Sequence, residues 1–280
     1  SQNCWPSVER DVMAVNDLAA PFLGAGFYYK TFMWPKKFWE AVYEPIIRNA
    51  AGLGGLSGDH NPDTYEKAYA FCDLLVIGAG PAGLMAALAG ARAGADVILA
   101  DEDALMGGRL NAETDEVDGK PGHVWAAGIV AELAEMDNVR LMTRTTVTGA
   151  YDGGTYGALE RVNQHNGRRG DAPLECFWRI VAKQSILAAG ALERPVAFQN
   201  NDRPGIMMAG AVRSYLNRWG VSAGKHVTVF GNNDNAHQTA RDLHAAGVNV
   251  AALIDSRHDA VVEGADFPVY TGAQVCNSGG

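Results

Sequence analysis

The chain has 280 residues, 48% hydrophobic and 20% charged, an ordinary globular composition that argues against disorder. At about 150 residues per domain there is room for roughly two domains and a core that needs no staples. The formal net charge of −9 disfavours nucleic acid and anionic lipid as partners, and no apolar run approaches the ~20 residues of a membrane span.

Glycine contributes 33 residues, with no collagen-like period. The excess over a usual ~7% fits many tight strand-to-helix turns. Cys4, Cys72, Cys176 and Cys276 are scattered singly, so no CxxC pair, zinc ribbon or redox dithiol is expected. Single thiols suit a reducing compartment, read as the cytoplasm. The seven histidines show no metal-binding spacing, and no metal is expected. Residue 1 is Ser rather than Met, which reads as a natural start that is missing or processed.

The first 45 residues hold ten aromatic residues, punctuated by Pro6, Pro21, Pro35 and Pro45. They read as an arm of short elements, with helices near 8–19 and 36–49, followed by a Gly- and Asp-rich loop over 51–66. A buried strand is predicted over 73–77. The turn Gly78-Ala79-Gly80-Pro81-Ala82-Gly83 follows, then a helix over 84–92 stopped by Gly94, then a buried strand over 95–100 ending at Asp101-Glu102. A helix over 123–136 and a strand over 139–142 come next. Antiparallel strands are predicted over 145–151, 157–164 and 176–182, and a further buried strand over 185–189. A second unit has helices over 206–219 and 235–246 and strands over 225–230 and 248–254. Nothing after residue 260 reads as an element that returns to the first sheet.

The pattern Gly78, Gly80, Gly83 follows a strand, opens a helix and is trailed by acids, which is the context a dinucleotide fingerprint requires. One glycine allows the tight turn, one lets the backbone approach a pyrophosphate, and one lets helix and strand pack closely. The pyrophosphate then sits on the helix N-terminus, where free N–H groups and the helix dipole favour anions. Asp101 lies near the expected ~20 residues beyond, suited to accept from both ribose hydroxyls and to repel a 2′-phosphate. The unit therefore favours NAD, or the ADP half of FAD, over NADP. The bland alternative is a βαβ unit that happens to carry glycines.

Gly107-Gly108-Arg109 follows the acids. Arg109 can pair with a phosphate or be a solvated arginine beside a Gly-Gly turn. Val147 opens the antiparallel stretch, either beside an adenine or as a core valine. The layout resembles that of FAD/NAD-linked reductases: an α/β, Rossmann-like domain with a parallel sheet and a small antiparallel layer, then a second, degenerate Rossmann-like domain. The domains are drawn as 1–70 (aromatic-rich N-terminal arm), 71–191 (NAD-binding) and 192–280 (second, truncated).

No cysteine follows Gly108 until Cys176, which excludes dithiol chemistry, and there is no GxSxG elbow or P-loop. His237 and His244 read as surface or packing residues rather than general bases. The second turn, Gly231-Asn232-Asn233-Asp234-Asn235-Ala236, keeps only its first glycine. Its side chains would crowd a pyrophosphate and Asp234 would oppose its charge, so nucleotide binding there is expected to be lost or weakened.

Several stretches together resemble the α subunit of heterotetrameric sarcosine oxidase. In the arm they are Asn3-Cys4-Trp5-Pro6-Ser7, Val15-Asn16, Ala25-Gly26-Phe27-Tyr28-Tyr29-Lys30-Thr31-Phe32-Met33-Trp34-Pro35, Tyr43-Glu44 and Ile47-Arg48. Further on they are residues 186–194, Asp202-Arg203-Pro204-Gly205-Ile206-Met207 and Asn232-Asn233-Asp234. The resemblance implies that this chain is a fragment of a longer polypeptide, between a ferredoxin-like part and a folate-binding part. It implies NAD held by Ala82, Asp101, Glu102, Asp103, Arg109 and Val147, beside Gly78, Gly80, Gly83 and Gly108 of the two turns, and no catalytic residue in this chain. It further implies FAD and FMN in the complete enzyme, tetrahydrofolate on the C-terminal part, and β, γ and δ subunits as partners. The alternatives are the α subunit of a related proline or opine dehydrogenase, or a nucleotide-binding scaffold without chemistry of its own. Part of residues 22–43 is expected to pack against another domain or subunit, because so many rings must bury their surface somewhere.

Overall fold

The computed structural model describes residues 5–279 except 8, 13, 16, 17, 19, 20, 22–33, 51–57, 168 and 169. The chain divides into two compact units, Ser1–Pro62 and Asp63–Gly280. In the first, Pro35 precedes a 3-10 turn, Lys36–Phe38, and a π turn, Trp39–Tyr43, which lead into α1, Glu44–Ala50. The Tyr43 hydroxyl donates to the Trp34 carbonyl at 3.0 Å. Glu44 and Arg48 pair one helical turn apart at 2.6 Å, the spacing at which helix neighbours meet. The described part of 8–19 forms short 3-10 turns rather than a helix. Phe22, Phe27, Tyr28, Tyr29 and Phe32, on which the packing expectation rests, lie outside the described residues; Trp34 is 84% exposed.

The second unit is built on a six-stranded sheet. Its strands are β1 Tyr65–Ile77, β2 Val97–Ala100, β5 Val139–Met142, β6 Thr145–Tyr151, β7 Thr155–Glu160 and β8 Glu175–Leu187, in the order β5-β2-β1-β8-β7-β6. β5, β2, β1 and β8 run parallel, while β7 and β6 are antiparallel additions on the far side of β8. A small hairpin, β3 Glu116–Val117 and β4 Lys120–Pro121, precedes the second helix. α2, Pro81–Arg92, and α3, Gly122–Ala134, cover one sheet face. Leu84, Leu88, Val97, Leu99 and Leu133 are buried there in one cluster, each contributing about 2 kcal/mol by area. The opposite face buries a second cluster around Leu75, Ile98 and Ile180.

Three features differ from the sequence reading. β1 begins at Tyr65, inside the predicted loop. The strands predicted over 176–182 and 185–189 are one strand, β8, because β1 offers it a parallel edge from Tyr65↔Glu175 to Ile77↔Leu187. Its last five residues are exposed rather than buried. The helix predicted over 206–219 begins only after Met208, whose ψ of 138° is extended. It runs as α4, Ala209–Arg213, and then widens into a π turn, Ser214–Arg218.

A three-stranded parallel sheet completes the unit: β9 His226–Gly231, β10 Asn249–Asp255 and β11 Val269–Thr271, with β10 central. α5, Asp234–Ala245, buries Ala236, Ala240 and Leu243 against it. β11 lies beyond residue 260 and joins this second sheet. Among the described residues, no helix is long and apolar enough to cross a membrane.

Candidate functional site

The C-terminal end of β1 passes into α2 through a turn whose three glycines have separate tasks. Gly78 has φ +98°, and a Cβ there would lie 2.6 Å from the Ala188 carbonyl oxygen. A Cβ on Gly83 would lie 1.8 Å from the Gly78 carbonyl oxygen, so only glycine lets α2 pack this closely on β1. A Cβ on Gly80 would meet nothing within 4 Å; the space over this residue is open. Gly80 caps α2 without a side-chain bond and Pro81 holds the first helical position. Proline has no N–H, and the N–H groups of Ala82 and Gly83 have no acceptor within the helix. An open glycine backed by free N–H groups is a cradle for an anion.

Asp101 stands directly after β2. Its Oδ2 accepts the Ala79 N–H at 2.6 Å and its Oδ1 accepts the Asp103 N–H at 2.8 Å. The second glycine motif closes on the same place. The Gly107 N–H donates to the Ala79 carbonyl at 2.9 Å, and a Cβ on Gly108, at φ +55°, would lie 2.8 Å from the Gly80 Cα. Gly78, Gly80, Ala82, Gly83, Asp101 and Gly108 are therefore brought together.

The other proposed contacts have partners of their own. The Glu102 carbonyl accepts from Arg161 at 2.7 Å. Asp103 is gripped by Arg218, whose guanidinium holds its carboxyl below the usual carboxylate range. Arg109 pairs with Glu113 at 2.7 Å and donates to Asn235 at 3.1 Å. Val147 is partly buried against the core cluster of the sheet's second face, beside a register shift in β6.

The second βαβ turn is closed by its own charges. The Asn233 side chain caps α5 by accepting the Asn235 N–H at 3.1 Å. Asp234, in the first turn of α5, is paired with Arg257 at 2.7 Å. Asp255 ends β10 as Asp101 follows β2, but it is fully buried. It accepts from Arg257 at 2.8 and 3.1 Å and meets His237 Nε2 at 2.6 Å. Arg257, with backbone and His237 bonds in support, holds the Asp255 carboxyl down at about 2. His237, read from the sequence as a surface or packing residue, is buried and hydrogen-bonded to Asp255 beside Arg257. The signal was present as an acid at a strand end followed two residues later by arginine, but the histidine reaches it only through the fold.

Burial pushes the Cys72 thiol up to about 11 and raises that of Cys176, whereas Cys276 is exposed. The thiolate is the reactive form. A thiol reagent at pH 7.5 is therefore expected to label Cys276 in the folded protein and to spare Cys72 and Cys176. Peptide mapping by mass spectrometry reads this, and rapid labelling of Cys72 would contradict the packing described for β1.

Residues 73–168 match the family described as FAD dependent oxidoreductase. The chain is 54% identical to the alpha subunit of sarcosine oxidase from Rhizobium meliloti (strain 1021), over 94% of this chain and 27% of that protein. It is 30% identical to an opine oxidase subunit from Agrobacterium tumefaciens (strain Ach5), over 66% of this chain and 37% of the relative. Among solved structures, L-proline dehydrogenase from P. horikoshii superposes with a TM-score of 0.55 at 25% identity, covering 74% of this chain and 40% of the other. The chain thus spans about a quarter of the sarcosine oxidase subunits it matches. At 54% identity over 94% of its length, this chain, with its parallel sheet, antiparallel flank and glycine-lined turn, is a homologue of one section of the sarcosine oxidase α subunits.

Proposed function

We propose that this chain is the dinucleotide-holding section of a flavin-dependent amine oxidoreductase of the sarcosine oxidase type, and that its turn binds NAD. The open space over Gly80, set between the free N–H groups of α2 and the Asp101 carboxylate, carries the reading. NAD supplies hydride chemistry when bound. Ala82 and Gly83 offer N–H groups to the pyrophosphate, and Gly108 keeps the backbone flat against Gly80. Asp101, fixed through Ala79, accepts from the adenosine ribose hydroxyls. Glu102 adds negative charge that turns away a 2′-phosphate, while Asp103, neutralised by Arg218, borders the ribose through its backbone. Arg109 reaches a phosphate by leaving Glu113, and Val147 borders the adenine.

The relatives' designation as subunits supports an assembly of several chains, proposed to be β, γ and δ partners in the cytoplasm. The complete enzyme would hold FAD and FMN, and tetrahydrofolate on a part outside this chain. It would convert sarcosine, oxygen and water to glycine, formaldehyde and hydrogen peroxide, with methylene-tetrahydrofolate formed when the folate captures the one-carbon unit. A subunit of a related opine or proline dehydrogenase is the weaker alternative, supported by 30% identity to an opine oxidase subunit and 25% to an L-proline dehydrogenase. The ion-paired second turn favours a scaffold role for that part of the chain.

Calorimetric titration with NAD, NADP and FAD tests the cofactor. NAD is expected to bind and NADP to bind at least about tenfold more weakly, because its extra phosphate meets like charge. NADP binding as tight as NAD would sink the assignment, and FAD alone binding would transfer the turn to flavin.

A further inference from the structure

The segment after β2 is held by side chains from the second βαβ unit. Arg218, at the end of the π turn after α4, places its two terminal nitrogens on the two Asp103 carboxylate oxygens at 2.5 and 3.0 Å. Both side chains are partly exposed, at 19% and 35%. The Arg218 guanidinium also lies 4.8 Å from the Trp219 ring centroid, which restricts it further. Its neighbour Asn217 donates to the Ala112 carbonyl at 2.9 Å and to Asp242 at 2.9 Å. Thr114 donates to the other oxygen of Asp242 at 3.2 Å. The 103–114 segment is therefore tied down at both ends by α4, its π turn and α5.

The Arg218 bond does not stop at Asp103. The Asp103 N–H donates to Asp101, and Asp101 accepts the Ala79 N–H of the glycine turn. A bidentate guanidinium–carboxylate pair fixes orientation as well as distance. It is thereby coupled, through the single Asp103 N–H bond of 2.8 Å, to the carboxylate assigned to the ribose, and through that carboxylate to Ala79 of the glycine turn.

We propose that Arg218 is a positioning residue for the dinucleotide, and that the second βαβ unit, its own nucleotide turn closed by charge, acts as a clamp on the ribose loop of the first. This rests on the dinucleotide reading of the turn. An exposed loop freed from its clamp must be ordered each time ligand binds, and that ordering subtracts from affinity. A partly exposed ion pair contributes little to global stability, so loss of the clamp acts on binding far more than on folding.

The test compares wild type, Arg218→Gln and Arg218→Lys by NAD titration, thermal melting and hydrogen exchange of residues 102–105. Arg218→Gln is expected to weaken NAD binding about tenfold, within the usual range of site coupling. Its melting temperature should stay within about 2 °C, while exchange at 102–105 accelerates without ligand. Arg218→Lys keeps the charge but not the fork, and should recover affinity only in part. Unchanged NAD affinity in Arg218→Gln, full recovery by Lys, or affinity lost only in step with the melting temperature would each overturn the clamp. A wild type that binds no dinucleotide overturns the site reading itself, and the clamp with it.

Discussion

Gly83→Ala is expected to lose the folded first sheet, while Gly80→Ala keeps the fold and loses the ligand. The two glycines are three residues apart in one turn, yet their surroundings are opposite. A methyl on Gly83 would overlap the Gly78 carbonyl oxygen at 1.8 Å, where the obstacle is backbone and cannot rotate away. α2 would have to lift from β1, separating Leu84 and Leu88 from Val76 and Val97. We expect a cost of about 3 kcal/mol, at the upper end of overpacking. Gly80 has φ −69° and ψ −178°, which alanine adopts without strain, and its methyl meets nothing. Its stability should change by less than about 1 kcal/mol, the scale of a helix cap. That methyl would stand where the pyrophosphate approaches. Denaturant unfolding and NAD titration of the two variants separate these effects. Gly80→Ala binding NAD as well as wild type would show that the phosphates do not pass over this turn.

Asp255→Ala is expected to destabilise the second sheet by about 3 kcal/mol at neutral pH, the scale of a buried ion pair broken on one side. Asp255 is fully buried and receives both Arg257 and His237, so its removal strands the buried His237 donor and leaves Arg257 with Asp234 alone. The same cluster sets a pH dependence. The folded carboxyl sits at about 2, below the ~3.9 of an unfolded aspartate. Its stabilisation is complete above the unfolded value and is lost as pH falls through about 4 towards about 2. Wild type should therefore lose its advantage over Asp255→Ala across that window. Urea unfolding of both proteins from pH 7 to pH 2 checks this. A difference that stays constant through the acid limb would contradict an ionised, paired Asp255.

The glycine turn was legible in the sequence because every part of it is local. Strand, turn and helix are consecutive, and the end of β2 brings Asp101 beside the turn. The flanking Gly107-Gly108 was legible as a motif, but its closure on Gly80 was not: that approach depends on the loop folding back over the turn. The boundaries of β8 were missed for a similar reason. Lys183, Gln184 and Ser185 interrupt its apolar pattern, and only the full-length edge of β1 makes residues 175–187 one strand.

By itself, the sequence determined the class of fold, the order of the two βαβ units and the three glycines of the first turn. Strand runs, helix periodicity and turn residues act over a few positions, and a glycine is required wherever a Cβ would strike backbone. Tertiary structure alone decided which charges meet. Asp103 is joined to Arg218 across 115 residues, Arg109 reaches Asn235 across 126 residues, and His237 finds Asp255 inside the second unit. Ion pairs between distant segments carry no periodicity, and a long side chain can reach any partner that packing brings near. The spacing of these residues could therefore not reveal that the second nucleotide turn is closed by its own ions, or that the elements around it hold the loop of the first.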